Sequence, residues 1–419
     1  MDKIIVHGGR ALAGTVKISG SKNSALPILA ATLLTKEPCV IHRVPDLSDV
    51  HYMLQILNHL GAEVERASGV VTVKAEKVST VAPYEVVRKM RASVCVLGPL
   101  LGREKEATVS LPGGCVIGDR PIDLHLRGFE SLGAAVRVHA GDIKVFAPQL
   151  RGASISLKGK FGSTVLGTDN VMMAAVLADG VTVIQDAASE PEVVDLANFL
   201  NKMGAKIEGA GTSRIVIEGV PELHGAEHEV IPDRIEAGTF LIAGAIAGKE
   251  VTITRADQRH LTAVTNALES SGYKLSGDNG SLTIQPNGAL KPLDLRTEPY
   301  PGFPTDMQAQ MCALLATAEG DSAVTENIFP QRFMHISELK RMGAAIELDG
   351  ATAKISGVDG LSGAPVMASD LRASAALILA GLKAEGMTEI NRVYHIDRGY
   401  ELIDEKLSGL GAHIERVKV

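Results

Sequence analysis

Six times along the chain the spacing of apolar residues changes in the same way. A helical spacing runs up to a glycine, and beyond it apolar and polar residues alternate. The phrase reads HLGAEVERASGVVTV at Gly61, SLGAAVRVHAGDIKV at Gly133 and KMGAKIEGAGTSRIVIEG at Gly204. It returns as SSGYKLSGDNGSLTI at Gly272, RMGAAIELDGATAKISG at Gly343 and GLGAHIERVKV at Gly411. The intervals are 72, 71, 68, 71 and 68 residues, so six units of about 70 account for the whole length. A glycine just past the last helical residue takes the left-handed cap. The alternation after it has the period of a half-buried strand. Turns at Ser68-Gly69, Gly141-Asp142 and Asp278-Asn279-Gly280 then predict a returning strand.

Each unit carries an earlier segment without a polar face. These are SALPILAATLL from Ser24, ASVCVLGPLLG from Ala92, NVMMAAVLADG from Asn170, AGTFLIAGAIAG from Ala237, MQAQMCALLATAEG from Met307 and ASAALILAGLKAEG from Ala373. Apolar nearly all round, they predict buried helices, and their alanines and glycines allow close packing. Each unit therefore reads βαβαββ, and the chain is of the α/β class (α+β type) with helices packed inside sheets. A solenoid is the structural alternative, although 70 residues is long for the common solenoid repeats.

With 419 residues the chain exceeds the size at which a single core stops growing, so two or more domains are expected. A net charge of −7 gives no overall attraction for nucleic acid or an anionic membrane. Aromatics make up 3% with no Trp, which argues against base-stacking platforms. Cys39, Cys95, Cys115 and Cys312 form no paired motif of the kind that binds zinc. Three of them lie in apolar runs and read as buried small hydrophobes. The first residues, MDKIIVHGGR, contain no apolar leader core and no apolar run is long enough to span a bilayer. The expected location is a reducing cytoplasm.

Cys115 differs from the other three. It lies in LPGGCVIGDRPID, where Pro112-Gly113-Gly114 permits no regular element, and Asp119, Arg120 and Asp123 follow. Charged or amide residues also collect where the buried helices begin: Lys22-Asn23, Arg88-Lys89-Arg91, Lys160, Asp233-Arg234, Asp306 and Asp370-Arg372. N-capping explains the aspartates. It does not explain Lys and Arg, whose charge opposes the helix dipole; a bound anion would compensate them.

The segments GSKNSALPILAA, MRAS at Met90, PGGCVIGDRPIDLH, FPTDMQAQ at Phe303, DLRASAAL at Asp370 and YHIDRGYE at Tyr394 together resemble the UDP-N-acetylglucosamine 1-carboxyvinyltransferase family of enolpyruvyl transferases. The resemblance runs from end to end. It implies two inside-out α/β barrel domains, each of three βαβαββ repeats, one spanning 22–229 and the other 1–21 plus 230–419. It implies an active site between them that closes on substrate. The implied reaction moves the enolpyruvyl group of phosphoenolpyruvate to the 3′-hydroxyl of UDP-N-acetylglucosamine through a tetrahedral ketal. The substrates are small molecules. No cofactor, metal, nucleic acid, membrane or obligate protein partner is implied.

The resemblance also implies roles. Cys115 is the acid that protonates the vinyl carbon and forms an adduct with phosphoenolpyruvate. Asp306 is the base for the sugar hydroxyl, although the residue alone also reads as an N-cap. Lys22, Arg120 and Arg398 hold phosphate and carboxylate, with Arg91 and Arg372 close by, and Asn23 meets the reacting centre. For the nucleotide the implied contacts are Arg91, Arg120, Pro121, Ile122, Asp123, Leu124 and Ile328. Of these, Asp123 meets the uracil, Pro121 and Leu124 pack on it, and the Ile328 backbone meets the amino sugar. Glu190 and Asp233 also match family positions and read as structural or regulatory. The stretch KFGSTVLGTDN departs from the family pattern by about two residues, so Lys160 and Ser163 are the implied diphosphate contacts with the register open. The rival readings are a 5-enolpyruvylshikimate-3-phosphate synthase, which lacks the PGGC loop, and a catalytically silent paralogue that binds the nucleotide sugar.

Overall fold

In the computed structural model of the chain, residues 2–111, 122–278 and 280–418 are described. Asn279 of the third expected turn lies outside them. Contacts divide the chain into two compact units. One runs from Gly20 to Ile231; the other takes the chain up to Ser19 and resumes at Pro232.

The repeat beginning at Val81–Ala82 shows the common plan. That strand lies parallel to Glu106–Ser110, which is antiparallel to Asp142–Phe146. Asp142–Phe146 pairs in turn with Ala135–His139 as a hairpin, with Val138 opposite Ile143. The helix Leu97–Glu104 joins the first two strands, and Asp123–Ser131 leads into the hairpin. Among the described residues six four-stranded sheets share this topology, three to a unit.

The glycine caps account for the recurring phrase. Gly61, Gly133, Gly204, Gly272, Gly343 and Gly411 all have φ between +93° and +102°. At Gly133 the N–H bonds to Glu130 O and the next N–H, of Ala134, reaches back to Phe129 O at 3.0 Å. That pair of bonds satisfies carbonyls the helix leaves orphaned, and a side chain at this φ would strain it.

The all-apolar segments are indeed buried helices. In the Gly20–Ile231 unit they are Lys22–Ala31, Leu97–Glu104 and Val165–Ala175; in the other, Arg234–Ala247, Gln308–Leu315 and Leu371–Lys383. Within each unit the three helices pack on one another and three sheets enclose them, so each unit closes on itself instead of stacking as a solenoid. Two helices begin later than the sequence predicts. Arg91–Val96 is a 3-10 helix, and the α-helix starts only at Leu97. Pro99 has no N–H to give the Cys95 carbonyl, so the α ladder cannot extend upstream through it. Thr305–Met307 is likewise a 3-10 turn before Gln308–Leu315.

Two repeats are completed by distant strands. Glu227–Glu229 supplies the first strand beside Cys39–His42. Lys3–His7 lies antiparallel between Met387–Asn391 and His413–Val417 and completes the sixth sheet.

Candidate active site

In the Gly20–Ile231 unit, Lys22 and Asn23 open the helix Lys22–Ala31, capped by Ser21. Lys22 Nζ lies 3.4 Å from Asp49 Oδ2, in the first turn of Ser48–His59. Beneath them the Ser24 hydroxyl donates to Asp195 Oδ2, and Asp195 Oδ1 is 2.8 Å from His228 Nε2. The helix start is therefore anchored through buried side chains to the strand Glu227–Glu229.

Arg91 opens its 3-10 helix and Asp123 opens Asp123–Ser131. Asn170, fully buried, joins the two. Its Nδ2 donates to Val94 O at 3.0 Å and to His125 Nδ1 at 2.9 Å, and its Oδ1 accepts from Gly98 N–H at 2.8 Å. Both amide hydrogens are then used, so His125 Nδ1 is an acceptor and the imidazole is neutral. Burial, aided by the Arg91 charge, pushes His125 down to about 3, which agrees. The sequence reading names Asn170 as the start of an apolar segment and gives it no role at the site; an asparagine inside an otherwise apolar helix is the available signal.

The segment bearing Lys160 and Ser163 lies against the same helix. Arg127 Nη2 donates to Lys158 O at 2.9 Å, and Leu124 packs on Gly159. Gly159 and Gly162 bond to each other across a tight turn, with Gly162 at φ +107°. Lys160 Nζ sits 5.1 Å from the Phe161 ring centre. Thr164 accepts from Gly167 N–H as the N-cap of Val165–Ala175. This unit thus brings Arg91, Ile122, Asp123, Leu124, Lys160 and Ser163 to the surroundings of one helix. Glu190 takes the N-cap position of Pro191–Lys202 without capping it through its side chain. Cys115, Arg120 and Pro121 lie outside the described residues. The other three cysteines are buried thiols, and burial pushes Cys39 up to about 11 and raises Cys95 and Cys312.

In the other unit Asp306 is not an N-cap. Its turn has Pro304 at that position and no side-chain capping bond. The carboxylate is held instead by two arginines: Arg332 Nη1 donates to Oδ1 at 2.7 Å and Arg372 Nη2 to Oδ2 at 2.7 Å. Burial alone would raise Asp306, but the guanidiniums of Arg372 and Arg332 outweigh it and hold the carboxyl well below its ordinary value. The arginine side chains are 4% and 7% exposed and that of Asp306 is 24%, so the carboxylate is the open member. Arg332 also donates to Thr305 Oγ1 at 3.0 Å, and Thr305 donates to the buried Glu326. Glu326 Oε1 accepts the N–H groups of Ile328 and Phe329, so the carbonyl is the backbone group Ile328 has to offer.

Asp370 caps Leu371–Lys383 through the N–H groups of Arg372 and Ala373. Asp233 caps Arg234–Ala247 in the same manner, which is a structural role. Arg398 ends the 3-10 helix Val393–Arg398, where burial, aided by the Arg398 charge, depresses His395. The cations at helix starts, Lys22 and Arg372, thus have carboxylates as partners within their own units. Arg332 and Glu326 are further residues that the sequence reading does not single out. Beside Pro304 a cavity of about 370 Å³ opens, lined by Arg234, Arg259, His260 and Tyr300 among others.

Among the described residues no group of three or more His, Cys, Asp or Glu is placed to hold a metal ion, and no helix is long and apolar enough to cross a membrane. Residues 6–407 match the family described as EPSP synthase (3-phosphoshikimate 1-carboxyvinyltransferase). Relatives separate the branches of that family. The UDP-N-acetylglucosamine 1-carboxyvinyltransferase of Akkermansia muciniphila is 61% identical, covering 100% of this chain and 99% of its own. The chain belongs to the UDP-N-acetylglucosamine 1-carboxyvinyltransferase family. The protein of that name from Methylacidiphilum infernorum is 60% identical with the same coverage. The enolpyruvyl transferase NikO from Streptomyces tendae superposes with a TM-score of 0.91 at 26% identity, covering 100% of this chain and 99% of its own. The EPSP synthase of Acinetobacter baumannii, at 16% identity, full coverage of both chains and a TM-score of 0.78, shares the fold. The chain therefore has the fold of the enolpyruvyl transferases.

Proposed function

We infer that this enzyme transfers the enolpyruvyl group of phosphoenolpyruvate to the 3′-hydroxyl of UDP-N-acetylglucosamine, releasing phosphate, as the first committed step of peptidoglycan synthesis. The observation that carries this reading is identity near 60% over the whole length to proteins named for that transfer. Its substrates are small molecules of the cytoplasm, which is where the enzyme would work.

The reaction adds the sugar oxygen to C2 of phosphoenolpyruvate while C3 gains a proton, then expels phosphate and returns a proton from C3. Asp306 is suited to take the hydroxyl proton. It is ionised at neutral pH, partly open, and held in one orientation by two guanidiniums. Its depressed pKa makes it a weak base, so orientation must supply much of its effect. Cys115 would be the acid toward C3, and Lys22, Arg120 and Arg398 would meet the phosphate and carboxylate charges. Asn23 would meet the reacting centre. Arg91, Pro121, Ile122, Asp123, Leu124, Lys160, Ser163 and Ile328 would bind the nucleotide sugar.

The experiment is phosphate release from phosphoenolpyruvate with UDP-N-acetylglucosamine or shikimate-3-phosphate as acceptor, on wild type and Cys115→Ser in parallel. Release with the nucleotide sugar alone, lost in the variant, supports both reaction and acid. Release with shikimate-3-phosphate moves the activity to the sister reaction, and release with neither rejects the transfer.

A further inference from the structure

Under the Asp306 pair lies a buried polar network that the roles above do not use. Tyr400 is 2% exposed, Thr239 1% and Gln310 0%. The Arg372 guanidinium stands over the Tyr400 ring, 5.4 Å from its centre. The Tyr400 hydroxyl is 2.8 Å from Thr239 Oγ1 and 3.2 Å from Gln310 Nε2.

Counting hydrogens gives the network a direction. Thr239 has one hydroxyl hydrogen and gives it to Ile235 O at 2.8 Å, so Tyr400 donates to Thr239. Burial raises the Tyr400 phenol above its ordinary value, which keeps that hydrogen in place. Gln310 has two amide hydrogens. One goes to the carbonyl oxygen of Asp306 at 2.9 Å; the other is shared between the Thr239 and Tyr400 oxygens, each at 3.2 Å. A flipped amide would set its oxygen against the Asp306 carbonyl, so this orientation is fixed.

Tyr400 therefore touches both supports of Asp306. Its ring lies under Arg372, which orients the carboxylate, and its hydroxyl meets Gln310, which ties down the backbone. We propose that Tyr400 is a positioning residue for Asp306, holding the carboxylate through Arg372 and the main chain through Gln310. The proposal rests on the reading of Asp306 as the base. Tyr400 touches no reacting atom in this scheme; it acts by keeping a weak base aligned, and alignment is worth large factors in rate.

Four variants separate the parts. Tyr400→Phe keeps the ring and removes the hydroxyl. Its kcat should fall about tenfold, the worth of one ordinary hydrogen bond, with KM for both substrates within about twofold of wild type. Tyr400→Leu also removes the ring. Arg372 then loosens, Asp306 loses part of what holds its pKa down, and the acid limb of the kcat profile moves to higher pH. Tyr400→Phe should keep the wild-type limb but not the full rate. Asp306→Asn serves as the control for the base. If it keeps kcat, the base reading fails whatever Tyr400 does. If it is inactive while Tyr400→Phe retains wild-type kcat, or Tyr400→Leu leaves the acid limb unmoved, the positioning role is overturned. Should Tyr400→Leu not fold, Tyr400→Phe and Thr239→Val decide the matter. Thr239→Val takes away the hydroxyl's acceptor without touching Tyr400, and it should lower kcat like Phe.

Discussion

Replacing Asp306 by Asn keeps the side-chain shape and removes the charge that two buried arginines share. Each guanidinium gives the carboxylate a 2.7 Å hydrogen bond and is less than a tenth exposed. The amide oxygen can still accept from one arginine, but the amide NH2 then faces the other, donor against donor. Two cations are left close together in a poorly solvated place. Breaking a buried ion pair from one side typically costs about 3–5 kcal/mol. For a unit of this size that is a fall in Tm of about 6–20 °C. The same loss turns the pair into an anion site. Inorganic phosphate at about 100 times its Kd would return roughly 2.7 kcal/mol. It should stabilise the variant more than wild type, whose arginines are already paired. The assay is thermal unfolding of both proteins with and without phosphate, alongside turnover. Turnover of Asp306→Asn should drop about 10²–10⁴-fold, with UDP-N-acetylglucosamine binding still measurable by calorimetry. An unliganded variant that melts with wild type would refute the electrostatic argument, as would equal gains from phosphate in the two proteins. Unchanged turnover would remove Asp306 from the base role.

Asn170→Ala should cost about 2–4 kcal/mol in urea unfolding, because it leaves Gly98 N–H and Val94 O without their partner in the core, and it should weaken nucleotide-sugar binding by loosening Arg91 against Asp123; binding at wild-type strength would break that link. Asp169 is fully buried, and among the described residues neither carboxylate oxygen has a hydrogen-bond partner; burial, then Glu190 and Glu192, raises it well above its ordinary value. The folded state therefore keeps a proton that the unfolded chain releases from about pH 4 upward, so stability falls by up to about 1.4 kcal/mol per pH unit until the folded pKa is reached. Asp169→Asn removes that slope, and its advantage over wild type in denaturant titrations should grow with pH above about 4; a gap independent of pH would contradict this. An epoxide phosphonate shaped like phosphoenolpyruvate should alkylate Cys115 and spare Cys39, Cys95 and Cys312, whose thiols are buried and raised; peptide mass mapping that finds label on any of the three would overturn the assignment.

What the sequence could and could not show divides along one physical line. Features set within a few residues were legible. Gly133 must follow a helix because its left-handed φ closes two bonds to carbonyls only three and five residues back, and the alternation after it is local too. The all-apolar helices declared their burial by having no polar face. Features set by partners far along the chain were not legible. The first sheet takes a strand from Glu227–Glu229 and the sixth one from Lys3–His7, and no local pattern names those neighbours. Pro99 shows how one residue shortens an element that periodicity predicts to be longer.

At the site the same division separates residue type from role. Asp306 after Pro304-Thr305 has the local grammar of a cap, since a cap needs only the next two N–H groups. Its observed partners are 26 and 66 residues away. Those separations also hide Arg332 from a sequence reading: it carries its charge in the turn before His335–Arg341, away from the starts of the apolar helices, and only the fold brings it to the carboxylate. Lys22 and Arg372 stand out in the sequence because a cation at a helix start is locally unfavourable. The sequence points to a bound anion as compensation, and in the structure each also has a carboxylate partner in its own unit, Asp49 and Asp306. An anionic substrate approaching Arg372 must then compete with Asp306 for the guanidinium. A carboxylate that loses part of its arginine partnership becomes more basic, because burial pulls its pKa upward as soon as the positive charge is shared. With Asp306 as the proposed base, substrate charge and base strength would be coupled through the arginines that hold it.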